Sequence, residues 1–469
     1  MTTAPPATAA ATTRLDPAFV RQALVLLTGV LAVVFDTTIV NVALDTLGRD
    51  LHASIATVQW VTTGYLLALA IVVPVTGWLL DLLGAKPLWI SALAVFLAGS
   101  VGASLAWNVG SLITFRVVQG VGGGIMLPVM TTLLMRSLGG RSIGSATAVI
   151  AMPVLLGPIL GPVAGGLIVT HLSWRWIFWV NVPLCVLGLV LAWFLMTPSR
   201  PERRSRLDGW GLALLSPGIA AIVFGLARVG AEDGFGHPSV FLPLLAGAML
   251  VVAFTIRAWH DQNPLVDVRL FRLGSFTTSN ALLFLSGFAL YGAMLLVPLY
   301  FQQVRGQSAL AAGLLLAPQG IGVLLSRGVA GKLTDRIGAR WIVFTGLLVV
   351  MLATIPFALA GDDAAEWPLI LALVVRGVGL GAVTIPVMAT AYAGLDRAAV
   401  PHASIITRTV QQIGGSFGTA VLAVVLQRAI VSHPGDRAFD IAFWWSTAFT
   451  AIAVVIALGL PREPAAPPA

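Results

Sequence analysis

Fourteen apolar runs fill most of this chain, at about 19–44, 55–80, 87–107, 109–134, 142–170, 174–196, 209–228, 239–258, 274–300, 309–331, 341–360, 367–393, 404–428 and 438–460. Each is close to the ~20 residues a helix needs to cross the hydrocarbon core of a bilayer. Lipid offers the backbone no hydrogen-bond partner, so segments of this length have to close their own bonds as helices. Composition agrees: 58% of residues are hydrophobic, 10% are charged, and mean hydropathy is +0.95. The expectation is an all-α integral membrane protein with 14 transmembrane helices.

The net charge of +8 is no nucleic-acid signal, because the Arg sits mostly in short loops between apolar runs. With the N-terminus inside, the tails and even-numbered loops hold 18 of the 27 Lys and Arg. The outer loops hold six, and Arg116, Arg376 and Arg408 fall within spans. That bias predicts cytoplasmic N- and C-termini in a bacterial inner membrane. The Ala/Thr/Pro-rich start lacks the order of a secretory signal, and the first run reads as a retained span. The single Cys185 lies in an apolar run and suggests no redox role.

The chain repeats itself. GWLLDLLGAK at 77–86 and GKLTDRIGAR at 331–340 share the form GxxxDxxGA[K/R]; VVQGVGGG at 117–124 is echoed by VVRGVGLG at 374–381. Two echoes in one order align span 1 with span 9. The expected organisation is a cytoplasmic tail (1–18), a six-helix bundle (19–198), a linker with two extra helices (199–273), a second six-helix bundle (274–460) and a cytoplasmic tail (461–469). Internal duplication of a membrane bundle marks secondary transporters, with the substrate site between the halves near the midplane.

Asp36 is the only acid placed well inside a long apolar segment. A carboxylate near mid-bilayer costs about 2.5–3.5 kcal/mol on insertion scales, which points to a group that gains and loses a proton. The other reading is an acid that reaches the surface or bonds a neighbouring helix. Arg116 lies about 10 Å below the outer end of span 4 and Asp36 about 12 Å below that of span 1, at 1.5 Å per residue. The two can pair, either as a proton switch or as a permanent structural ion pair. Arg376 falls in the other half with no central acid beside it.

In the duplicated loops, glycines allow a sharp turn while the charges can form a gating latch; the residues are Gly77, Asp81, Gly84 and Lys86, with Gly331, Asp335, Arg336, Gly338 and Arg340. Span 5 carries Gly157, Pro158, Gly161, Pro162, Gly165 and Gly166, small residues that admit close helix approach and prolines that permit a bend. Arg408, Gln411 and Gln412 are candidate cavity-lining groups, or equally interhelical hydrogen bonds. Asn41, Tyr65, Gln119, Asn280, Phe284, Phe288, Tyr291, Gln319 and Arg376 complete the candidate cavity. The histidines have no metal-ligand spacing and no GxxxxGK[ST] occurs, so no metal, cofactor, ATP hydrolysis or enzyme chemistry is expected.

These pieces resemble the major facilitator superfamily, specifically its fourteen-span drug:proton antiporter branch. The resemblance rests on FDTTIVNVAL (35–44), VQWVTTGYLL (58–67), GWLLDLLGAK, RVVQGVGGG, GPILGPVAGG, WRWIFWVNVP (174–183) and LLLAPQGIGVLLSRGVAGKLTDRIGAR (314–340). It implies two bundles rocking about a central cavity, with proton entry driving efflux of amphiphilic small molecules by a monomer. It also implies proton coupling at Asp36 and Arg116, and an antiporter role for the span 5 motif. Two departures stand out: Asp45 follows Leu44 where relatives carry Pro, and spans 10 and 13 lack the further acids of some cation exporters. The latter suggests a low proton stoichiometry. An exporter of a lipid or self-made metabolite, and a sensor or assembly protein on a transporter scaffold, are the alternatives.

Overall fold

The computed structural model describes residues 17–53, 55–137, 157, 161, 163–197, 207–229, 232, 234–361, 365–396, 398–432 and 436–461. These are helical throughout, with no strand among them. The elements are α1 (Pro17–Asp50), α2 (Ile55–Val72), a 3-10 turn (Val73–Val75), α3 (Thr76–Leu83), α4 (Ala85–Ser104), α5 (Val109–Ser137), α6 (helical over 163–171), α7 (Trp176–Trp179), α8 (Asn181–Leu195) and α9 (Gly209–Arg228). There follow α10 (Pro238–His260), α11 (Gly274–Gln303), α12 (Ala309–Leu314), α13 (Ala317–Ile337), α14 (Ala339–Ala358), α15 (Glu366–Tyr392), α16 (Val400–Ser432) and α17 (Asp436–Ala457).

Among the described residues 12 helices are long and apolar enough to cross a membrane, against the 14 expected. The expected span at 142–170 lies largely outside the described residues. The one at 309–331 is divided between α12 and α13, and α13 carries Arg327, Lys332, Asp335 and Arg336. Those charges lower its hydropathy below that of a simple lipid-facing helix.

The internal repeat governs packing. In the N-terminal half, α5 lies against α2, α4 and α1, while α8 lies against α1 and α4; in the C-terminal half, α15 lies against α13, α14 and α11, while α17 lies against α11 and α14. The glycines of the echoed VVxGVGxG segments explain the match. Gly120 and Gly124 bring α5 onto the α2 backbone and Gly122 brings it onto α4; Gly377 and Gly381 meet α13 and Gly379 meets α14 in the same pattern. The pair α9–α10 has no counterpart. It packs into the seam, where α9 touches both α2 and α16: Ser216 Oγ donates to the Ile71 carbonyl at 2.7 Å, and Leu226 and Val229 meet Ala420 and Val424.

The duplicated loops are alike to the backbone. Gly84 (φ 79°, ψ 167°) and Gly338 (φ 82°, ψ 161°) each form the single-residue joint between a helix that ends and one that begins. A side chain is strained in that conformation. One residue pair on from each joint, a cation ties down the sixth helix of its own half: Lys86 Nζ donates to the Trp193 carbonyl at 2.5 Å, and Arg340 Nε donates to the Leu460 carbonyl at 2.6 Å. Carbonyls at helix C-terminal ends lack intrahelical partners and favour a cation. We expect Gly84→Ala and Gly338→Ala each to cost about 1–3 kcal/mol, read as a lower midpoint for thermal exposure of the buried Cys185 thiol to a reactive dye.

Asp208 fixes the inserted pair. It caps α9 by accepting from the Gly211 N–H at 2.8 Å, accepts from the Leu265 N–H at 3.1 Å, and pairs with Arg257 of α10 at 2.7 Å. Burial pushes its carboxyl up, but the bonds from Arg257, Gly211 and Leu265 outweigh this and hold it below the usual carboxylate value. A depressed folded-state pKa adds stability above the ordinary value of about 3.9 that disappears as pH falls through the folded value. Asp208→Asn should therefore melt earlier than wild type at neutral pH, and the gap should close in acid below about pH 4.

Candidate proton-coupling site and central cavity

Asp36 sits at mid-length in α1 with its side chain fully enclosed. Helices α2, α4, α5 and α8 converge on it. Arg116 Nη1 of α5 donates to one carboxylate oxygen; Gln119 Nε2, one turn further along α5, donates to the other at 2.8 Å, and so does Asn181 Nδ2 at the head of α8, at 3.0 Å. Ser100 Oγ of α4 accepts from Gln119 at 2.6 Å and from Asn181 at 3.2 Å. Arg116 also donates to Gln119 Oε1 at 2.6 Å and, through Nε, to the Val61 carbonyl of α2 at 3.1 Å. The Tyr65 ring covers its guanidinium at 4.0 Å.

This geometry places the two residues singled out from the sequence in direct contact, through the i, i+3 spacing of Arg116 and Gln119. Gln119, expected in the cavity, belongs instead to the ion-pair network, and Tyr65 is fully buried against Arg116. Asn181 and Ser100 were not foreseen. Their only signal is a lone amide in the apolar run NVPLCVLGL and a serine in a small-residue stretch. Three polar atoms in the cluster lack partners: Arg116 Nη2, Asn181 Oδ1 and Tyr65 Oη.

The span 5 glycines bear on the same place. Gly157, Gly161 and Gly165 lie against Val34, Thr38 and Ile39 of α1, the turns on either side of Asp36, with too little room for a Cβ. Thr38 Oγ1 donates to the Gly157 carbonyl at 3.1 Å. Gly166 is buried in α6, and Pro158 and Pro162 lie outside the described residues.

In the C-terminal half, Arg376 occupies the repeat position of Gln119, not of Arg116. It is buried and donates to Gln319 Oε1 at 2.7 Å, to the Ala289 carbonyl at 2.8 Å and to Thr354 Oγ1 at 3.3 Å. Neutral oxygens replace the carboxylate there.

A cavity of about 20 Å³, room for roughly one water, lies between the halves. Leu127 and Thr131 of α5 face Thr384 and Tyr392 of α15 and Ser404, Thr407, Arg408 and Gln411 of α16 across it. Just beside it Ser404 Oγ donates to the Pro128 carbonyl of α5 at 3.2 Å, joining the halves. Gly77 lies against Pro401 and Ile405 at the same end. Of the residues expected in the cavity, Arg408 and Gln411 line it. Gln319 serves Arg376, Asn280 bonds its own helix at Phe276, and Phe288 is core packed on Phe417 and Phe449. Phe284 also stacks on Phe417, Tyr291 packs on Gly415, Gln412 is half-buried outside the lining, and the Asn41 side chain lies outside the described residues. In the duplicated loops, Asp81 is electrostatically close to His402 at the start of α16 in the other half. Arg336 is exposed, Gly331 is half-buried, and the Asp335 side chain is outside the described residues. Among the described residues no cluster of potential metal ligands occurs.

Breaking a buried ion pair from one side costs about 3–5 kcal/mol, because a charge is left uncompensated. Arg116→Met should lower the Cys185 thermal-exposure midpoint strongly. The double variant Asp36→Asn/Arg116→Met should lose less than the sum of the two single changes, the signature of a direct pair.

Residues 26–419 match the family model described as Major Facilitator Superfamily. The chain is similar to the multidrug resistance protein B homolog of Mycobacterium tuberculosis, 36% identical over 416 residues that cover 88% of this chain and 77% of that one. The lincomycin resistance protein LmrB of Bacillus subtilis is 31% identical over 411 residues, 86% of each chain. In fold, the chain is similar to the proton:xylose symporter XylE (TM-score 0.64, 15% identity, 95% of this chain and 98% of that one). It is also similar to the human organic anion transporter MFSD10 (TM-score 0.63, 16% identity, 94% and 100%).

Proposed function

The chain belongs to the Major Facilitator Superfamily, a multi-pass membrane transporter and not an enzyme, and from that premise we propose that it is a proton-coupled antiporter exporting hydrophobic or amphiphilic small molecules, antibiotics and other toxic compounds among them. The names of its relatives support the substrate class. The observation that carries the coupling is the enclosed Asp36 carboxylate held by Arg116, Gln119 and Asn181. Arginine keeps its charge, so Asp36 is the member of the pair that takes up the proton.

The working cycle follows from α5. This helix carries Arg116 and Gln119 at the proton site and Pro128 and Thr131 at the contact between the halves, 12 residues or about 18 Å along its axis. Protonation of Asp36 discharges the acid, frees Arg116 to turn to another acceptor, and lets α5 shift against α1. A shift of α5 loosens its bond to Ser404 and opens the cavity at the Ser404 end. The arginine bias assigns that end to the cytoplasm of a bacterial cell, with both termini inside and 14 spans in all. With one central carboxylate, one proton is exchanged per cycle; no cofactor takes part.

In weakly buffered solution, adding a transported antibiotic to the purified protein should release about one proton per substrate bound, on the exchange mechanism. Asp36→Asn should release none while still binding. Equal release from both proteins overturns the coupling role of Asp36.

A further inference from the structure

Arg116, Arg376 and Arg408 lie within spans, and the structure treats them differently. Arg116 has Asp36. Arg376 has none, but three oxygens accept from its guanidinium. Arg408 has no carboxylate and a single side-chain acceptor. Nη1 reaches Gln411 Oε1, on its own helix, at 3.2 Å, and its buried Nε has no partner. No ion pair forms on it among the described residues. The ionisable groups within electrostatic reach are phenols: Tyr65 of α2, Tyr291 of α11 and Tyr392 of α15, three of the four tyrosines in the chain.

Arg408 also lies on the wall of the cavity between the halves, which has room for about one water here and has to widen as the halves part to admit a ligand. It lines the cavity between the halves beside Thr131, Thr384 and Thr407, whose apolar neighbours are Leu127, Leu283 and Met388. An unpaired cation in a cavity walled by methyl groups and hydroxyls complements an anion with an apolar body. Arg presents a planar fork suited to carboxylate, sulfonate or phenolate oxygens.

We propose that Arg408 anchors the acidic group of the exported molecule, making the cavity selective for amphiphilic organic anions over cations. This rests on the efflux reading above for the direction of movement, not for the binding itself. The carboxylate missing from the cavity wall is supplied by the cargo. Tyr65, stacked on Arg116, is also within electrostatic reach of Arg408.

The test compares 1-anilinonaphthalene-8-sulfonate with N-phenyl-1-naphthylamine, the same apolar body without the sulfonate. Binding is measured on the full chain in nanodiscs of zwitterionic lipid, with empty nanodiscs subtracted and no proton gradient. The wild type should bind the sulfonate at least tenfold more tightly than the neutral dye. Arg408→Gln should weaken the sulfonate at least tenfold and leave the neutral dye unchanged, while Arg408→Lys keeps most of the anion preference. Equal affinity of the wild type for both dyes, or an equal loss of both in Arg408→Gln, overturns the proposal. The wild-type comparison needs no variant to fold. Proton release in Asp36→Asn is read separately, so either idea can fail while the other stands.

Discussion

The buried pair of Asp36 and Arg116 is the interaction around which the N-terminal half is arranged. Burying either charge without a partner is costly, and together they call for further hydrogen bonds to their remaining oxygens and protons. That demand explains why five helices send six polar groups to a single point: Asp36 from α1, the Val61 carbonyl from α2, Ser100 from α4, Arg116 and Gln119 from α5, and Asn181 from α8. The glycines of α5 then become a requirement. Without their close approach to α2 and α4, Arg116 could not reach Val61 nor Gln119 reach Ser100.

Gene duplication left the frame and changed the chemistry. Both halves keep the glycine-set packing of their fourth helices, the left-handed glycine joint and the cation that holds the sixth helix. Lys86 and Arg340 of the repeated loops bond carbonyls of their own halves, while Asp81 is electrostatically close to His402 of the other half. At the centre the halves diverge. An ion pair with two amides on one side faces a guanidinium bonded only to neutral oxygens on the other.

Part of this is legible in the sequence. Twelve membrane-length helices among the described residues follow from run length, the matched glycine packing from two echoed motifs, and the Asp36–Arg116 contact from two isolated charges at matching depth. What was not legible depends on rotation about helix axes. Phe288 and Arg408 are both polar-or-aromatic residues in apolar helices, yet one points into the core and the other into a cavity. Gln119 looked like a cavity group because an amide in a span needs a partner, and its partner came from α4 and α1. Ser100 and Asn181 carry too little cost individually to stand out. They matter because the fold places them on one carboxylate.

The charge balance sets what such a machine can move. On the proposed exchange of one proton per cycle, expelling a monovalent cation transfers no net charge, and the membrane potential does no work. Expelling a neutral molecule gains about 2.3 kcal/mol per 100 mV. Expelling a monovalent anion moves the equivalent of two charges, roughly 4.6 kcal/mol per 100 mV on the same scale. A single central carboxylate is thus a poor design for cations and an efficient one for acids. The lack of a carboxylate on Arg408 and of a second acid well inside the apolar runs have the same physical consequence: each favours a cargo that brings its own negative charge.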